Sequence, residues 1–242
     1  MKNKFGFILI KPQLGENIGA CARSMRNFGF TKLHVVSPKI LFPNHKAKAT
    51  SVGAFDIINK AKVFKETEKA ISDFDLIVSL SARRRDINKK HISLNDFINL
   101  IKKRKHSNFG LMFGPEASGL SNDEISYANY LVKIPTNKKF SSLNLSHSAT
   151  IFCFELFQYF SSKKVAYKSN YKSSFAKKSG VNKFLSFIID KLDKKGFLQP
   201  DHKRNSMIRN INNIFHRLDL SDQEICILLG IFSTLNDFNK KS

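Results

Sequence analysis

Apolar and polar positions follow two rhythms along residues 1–160. Short, nearly unbroken apolar runs read as strands buried on both faces, and longer stretches with apolar residues every three or four positions read as helices. Residues 5–10 (FGFILI) open the chain as a strand. A helix is expected over 17–28, with Asn17 positioned to cap its start and Gly29 just past its end. The same reading gives strands at 32–37 (KLHVVS), 74–80 (FDLIVSL), 109–113 and 130–134, and helices at 66–72 and 146–160. Ser121 followed by Glu124 has the spacing of a capping box, which opens a short helix there. Strands separated by helices make the expected fold class α/β, a parallel sheet with helices on both faces.

The rhythm changes near the C-terminus. Phe184, Leu185, Ile188, Ile189 and Leu192 form one helical apolar face, and Met207, Ile208, Ile211, Ile214, Phe215 and Leu218 a second. Ser221 with Glu224 repeats the capping-box spacing ahead of Ile225, Leu228, Leu229, Phe232 and Leu235. Three helices with a core of their own predict a small C-terminal helical bundle. Residues 156–189 carry seven lysines and no acid, with Tyr167, Tyr171 and Phe175 interleaved. The middle of that stretch reads as a basic linker, either a solvated tether or an arm that follows phosphates and stacks on bases; the two roles are compatible. The expected organisation is therefore a main domain at 1–160, a linker at 161–180 and a helical extension at 181–242. No internal repeat is evident.

Charge adds a partner to this picture. The 242 residues hold 41 Lys plus Arg against 19 Asp plus Glu, a net charge of +22. Such an excess points to a polyanion, although a lysine-rich composition bias would also produce part of it. The cysteines, Cys21, Cys153 and Cys226, are far apart and form no C-x-x-C pair, which fits a reducing cytoplasm rather than a disulfide framework. No apolar run is long enough for a membrane span, and the run at 5–10 is too short for a signal peptide. The histidines are scattered, so no metal site is expected. Dinucleotide-binding, Walker, zinc-protease and hydrolase-elbow motifs are all absent.

Three segments carry candidate chemistry. Residues 15–29 place Asn17, Arg23 and Arg26 on a helix whose Gly19, Ala20 and Ala22 permit close approach of another backbone. Arg23 is either a surface arginine or, with Asn17, faces an anion or a ribose. Residues 113–120 end a strand in a glycine-bearing loop, where Gly114 either turns the chain or lets backbone approach a ligand. Residues 140–148 are either an ordinary serine-rich helix start or a ring of small polar groups around a ligand.

Taken in order, N-I-G-A-x-A-R at 17–23, F-G-P-E-x-x-G-L at 113–120, and I-P at 134–135 followed by S-S-L-N-L-S at 141–146 resemble the SpoU branch of the SPOUT methyltransferases over residues 1–160. Gly196-Phe197-Leu198-Gln199-Pro200, Ile208-Arg209-Asn210-Ile211, Phe215-His216-Arg217 and the 221–230 stretch are similar to the helical extension of the TrmJ group, and Ser79-Leu80-Ser81-Ala82-Arg83 with Arg85 is similar to a further segment of that group. Two departures stand out: Phe140 where tyrosine is frequent, and His147 where glutamine is common.

The resemblance implies a trefoil knot, S-adenosylmethionine held by the knot loops, and an obligate homodimer that shares its acceptor site. It implies methyl transfer to the ribose 2'-hydroxyl of the cytidine or uridine at nucleotide 32 of the tRNA anticodon loop. It assigns the key role to Arg23, which, as a permanently charged group, fits a clamp on the ribose and its phosphate better than a base. Asn17 would hold Arg23 or the ribose, and Ser142 and Asn144 would line the reaction centre. Ser79, Leu80, Ser81, Gly114, Glu116, Ile134, Ser142, Leu143 and Asn144 would contact the cofactor, with Glu116 fixing its loop through backbone hydrogen bonds. RNA would meet Arg23, Arg26, Arg83, Arg84 and Arg85, the lysine cluster at 102–105, the linker and the helical extension. Methylation of another tRNA or rRNA ribose, or RNA binding without catalysis, are the competing expectations.

Overall fold

A computed structural model describes residues 4–80, 88–137, 139–161 and 175–238. Among them, seven strands form one sheet: β1 (Phe5–Ile10), β2 (Lys32–Val36), β3 (Lys62–Phe64), β4 (Leu76–Leu80), β5 (Lys90–Ile92), β6 (Phe109–Phe113) and β7 (Tyr130–Val132), in the order β3-β2-β1-β6-β4-β7-β5. Every pairing is parallel. The all-apolar β1 is buried on both faces because a parallel sheet is covered on both sides. Its Phe5, Phe7 and Leu9 enter one core layer and its Ile8 and Ile10 the other. Helices α1 (Gly15–Phe28), α3 (Phe55–Asn59), α5 (Leu94–Lys103) and α7 (Leu145–Ser161) close the first layer. Helices α4 (Thr67–Ile71) and α6 (Asn122–Ser126) close the second. Helix α2 (His45–Ser51) lies against α1, where a side chain at Gly19 would collide with the Ala47 carbonyl, so the expected close backbone approach is real.

Three details differ from the sequence expectation. Asn17 does not cap α1: the helix begins at Gly15, with Leu14 at the capping position and no side-chain cap of its own. An acceptor from a distant loop takes over that end, as described below. Strands β3 and β5, and helices α2, α3 and α5, were not expected. Both strands are three-residue edge strands that carry lysine, KVF and KHI, which breaks the apolar signal while discouraging edge-to-edge pairing. Strand β7 ends at Val132, so Ile134 belongs to the following loop.

Helices α8 (Lys178–Lys194), α9 (Asp201–His216) and α10 (Asp222–Phe238) share a core built on Val181, Phe184, Leu185, Ile188 and Ile225. Residues 162–174 of the expected linker lie outside the described residues, and α8 begins inside its far end. The C-terminal helices dock at the amino ends of the strands. Asp219 accepts from the Tyr130 hydroxyl (2.8 Å) and pairs with Arg104 (2.8 Å), and the Lys178 amide donates to the Phe74 carbonyl. Two buried lysines complete the joint. Lys89 Nζ donates to the carbonyls of Ser126 and Asn213, and Lys178 Nζ to that of His216, so they serve carbonyls at the C-terminal ends of α6 and α9, where the Asn213 carbonyl also accepts from the Arg217 amide. Burial pushes Lys89 down to about 6 and Lys178 down to about 7.

Candidate active site

Strands β4, β6 and β7 end side by side, with Leu80 paired to Val132 and Ser79 to Met112, one residue short of Phe113. Ligands of open α/β sheets settle beyond such carboxyl ends. A cavity lies there, lined by Leu80, Phe113 and Val132 from the strand ends, by Gly114, Pro115, Glu116, Ala117 and Gly119 from the loop after β6, and by Ile134, Ser141, Ser142, Leu143, Leu145 and Ser148 from the loop after β7 and the start of α7. A side chain at Gly114 would collide with the backbone nitrogen of Leu120, so the loop can fold this tightly only with glycine there.

One chain of side-chain hydrogen bonds ties the three sequence segments together. Asn144 Oδ1 accepts from the backbone nitrogen (2.8 Å) and hydroxyl (2.7 Å) of Ser146, which caps α7. Its oxygen being committed, Asn144 Nδ2 donates to Asn17 Oδ1 (3.0 Å). Asn17 Nδ2 in turn donates to Glu116 Oε1 (2.7 Å). Glu116 also accepts from the backbone nitrogens of Gln13 (2.9 Å) and Leu14 (3.4 Å). Its negative charge therefore stands at the amino end of α1, where the helix dipole favours an anion and no local cap exists. The expected backbone role of Glu116 is present, and Asn17 is held by Glu116 and Asn144 rather than by Arg23.

Of the residues expected at the cofactor, Leu80, Gly114, Glu116, Ile134, Ser142 and Leu143 line the cavity. Asn144 stands behind them in the hydrogen-bond chain. Ser79 is fully buried within β4, and its Oγ has no hydrogen-bond partner among the described residues. Ser81, Arg83, Arg84 and Arg85 lie outside the described residues. Arg23 is exposed on α1 and does not line the cavity. It stands six positions beyond Asn17, about 9 Å along the axis and roughly 120° around it. Arg26 is also exposed and pairs with Asp56 (2.9 Å). Ser141 and Ser148, which the sequence reading placed in the serine-rich third segment without assigning either to the cofactor, also line the cavity. Among the described residues no group of acidic, histidine or cysteine side chains could hold a metal, and no helix is long and apolar enough to cross a membrane.

Comparison with known proteins agrees with this geometry. Residues 4–154 match the model of the SpoU rRNA Methylase family. The tRNA (cytidine-2'-O-)-methyltransferase TrmJ of Methanocaldococcus jannaschii is 32% identical over 233 residues, covering 93% of this chain and 96% of that protein. The crystal structure of TrmJ from Z. mobilis ZM4 superposes with a TM-score of 0.85 at 29% identity, covering 95% of this chain and 98% of that one. The SpoU methyltransferase AviRb from Streptomyces viridochromogenes, solved in complex with the cofactor AdoMet, shares the fold with a TM-score of 0.54 at 21% identity, covering 66% of this chain and 58% of that one. With the parallel sheet, the glycine-bearing loop and the relay joining the three segments, these matches show that the chain belongs to the SpoU rRNA Methylase family, as a TrmJ-type RNA 2'-O-methyltransferase.

Proposed function

We propose that the chain transfers a methyl group from S-adenosylmethionine to the ribose 2'-hydroxyl of the cytidine or uridine at nucleotide 32 of tRNA, in the cytoplasm. The observation that carries this reading is the Glu116–Asn17–Asn144 relay, which holds the loops after β6 and β7 against the start of α1 around one cavity. The cavity fits the cofactor chemically. Leu80, Phe113, Val132 and Leu143 offer apolar walls to an adenine, and Ser141, Ser142 and Ser148 offer hydroxyls. The backbone at Gly114 is bare enough for close approach.

S-adenosylmethionine would supply a methyl carbon already activated by its sulfonium, which is why no metal is called for. The chain's task is alignment of the acceptor oxygen with that carbon, chiefly a proximity effect. Arg23 acts as a clamp on the ribose and its phosphate and stabilises the oxygen as its proton leaves. Arg23 stands away from the cavity of its own chain, which supports a homodimer in which each protomer's Arg23 serves the other's cavity. Helices α1 and α7 offer the surface for it: Phe154 is 44% exposed, with its ring 6.0 Å from that of Phe28. The trefoil knot belongs to the same reading.

The test is methyl transfer from labelled S-adenosylmethionine to total tRNA, with nuclease mapping of the product. Label on the ribose of nucleotide 32 is expected; ribose label elsewhere would replace the acceptor, and no label on any RNA would overturn the activity. Arg23→Ala is expected to abolish transfer without unfolding the protein. Mixed dimers of Arg23→Ala with Gly114→Val, each inactive alone, should recover about a quarter of wild-type turnover if the site is shared, since random pairing gives one complete site in half the dimers. No recovery would place Arg23 in its own protomer's site.

A further inference from the structure

In any ribonucleotide the base hangs from C1', the carbon next to the C2' whose hydroxyl is the acceptor. A ribose presented to this cavity therefore brings its base, or a neighbouring one, against the cavity's lip. Phe140 is the one aromatic residue within 114–121 and 133–145, the two loops that wall the cavity. It is 79% exposed. Isolated exposed apolar residues are ordinary on protein surfaces, so exposure alone carries nothing. What sets Phe140 apart is where and how it is held.

Its backbone nitrogen donates to the Asn137 carbonyl (3.1 Å), the Lys139 nitrogen donates to Asn137 Oδ1 (2.9 Å), and the Thr136 hydroxyl donates to the Ser141 carbonyl (3.4 Å). This knitted turn presents the ring outward immediately before Ser141 and Ser142, which line the cavity. Lys133 and Lys139, both exposed, place cations on the same loop. An aromatic face flanked by cations suits a nucleobase and its phosphates.

Resting on the methyl-transfer reading above, we propose that Phe140 is a substrate-contacting residue: a nucleobase at or beside the methylated ribose stacks on its ring. Stacking accepts any base face, so Phe140 fixes where the base stands and leaves the choice between cytosine and uracil to other groups.

The experiment compares Phe140→Ala, Phe140→Leu and Phe140→Tyr with wild type on unmodified tRNA transcripts, with Val63→Ala on the edge strand β3 as control. Each variant's affinity for S-adenosylmethionine and its oligomeric state are measured alongside. The alanine and leucine variants should raise KM for tRNA about tenfold, with cofactor affinity and the cytidine-to-uridine ratio unchanged, and the tyrosine variant should stay near wild type. A leucine variant as good as wild type would overturn the proposal, because an apolar lip would then suffice. So would a parallel loss of cofactor affinity, or dissociation of the alanine variant into monomers. Wild-type protein inert on every RNA would remove the reading beneath the proposal, whereas active wild type with an unaffected Phe140→Ala removes the stacking role alone.

Discussion

Glu116 joins binding and stability in one carboxylate. It lines the cavity, receives the amide of Asn17 and closes the uncapped start of α1. Replacing it by alanine leaves several donors without an acceptor. Hydrogen bonds to a charged group contribute roughly 1.5–3 kcal/mol, and partial exposure places this one near the lower bound. At about 2–4 °C per kcal/mol for a chain of this size, Glu116→Ala should lower the thermal midpoint by ~3–6 °C. Glu116→Gln, which keeps one acceptor oxygen, should lose less. Calorimetry decides: equal midpoints for wild type and alanine variant would mean the carboxylate is not holding the helix. The identities of Asn17, Glu116 and Asn144 stood out in the sequence, but their pairing did not. The partners are 99 and 127 positions apart, beyond any local rule of spacing. For the same reason Asn17 passed for a helix cap: an asparagine just before an apolar helix has that meaning unless a remote carboxylate has taken the position.

Among the elements, those buried on both faces were legible and those at the edges were not. Strands β1 and β6 occupy the residues expected of them because the central strands of a parallel sheet are uniformly apolar. Strands β3 and β5 hid behind their lysines. The joint between the sheet and α9 was equally silent, because Lys89 and Lys178 look in sequence like two more solvated cations of a basic protein. Buried, they carry a pH dependence. Their folded values, about 6 and about 7, lie below the ordinary 10.5, so the unfolded chain binds more protons between roughly pH 6 and 10.5, and stability must rise with pH across that window. His216, buried against both lysines and pushed down by burial and by their charges, acts in the same direction at lower pH. Thermal melts at pH 6.5 and pH 9 should show the higher midpoint at pH 9, with a flatter response in Lys89→Met/Lys178→Met. A double variant as pH-sensitive as wild type would assign the effect to other groups.

On the scale of the whole molecule, the two ends of the sheet are given to different tasks. The cavity opens at the carboxyl ends of β4, β6 and β7, while the C-terminal helices hold the amino ends through Asp219, Lys89 and Lys178. A five-residue strand such as β6 sets these sites about 15 Å apart at ~3.3 Å per residue. If both ends grip RNA, the hydrogen-bonded sheet between them fixes the interval. An anticodon stem-loop cut short of the second grip should then show a KM at least several-fold above that of whole tRNA with kcat little changed, and equal KM values would mean that the helical extension contributes no contact. The sheet would then act as a calliper, testing a candidate RNA by its reach as well as by the nucleotide it offers.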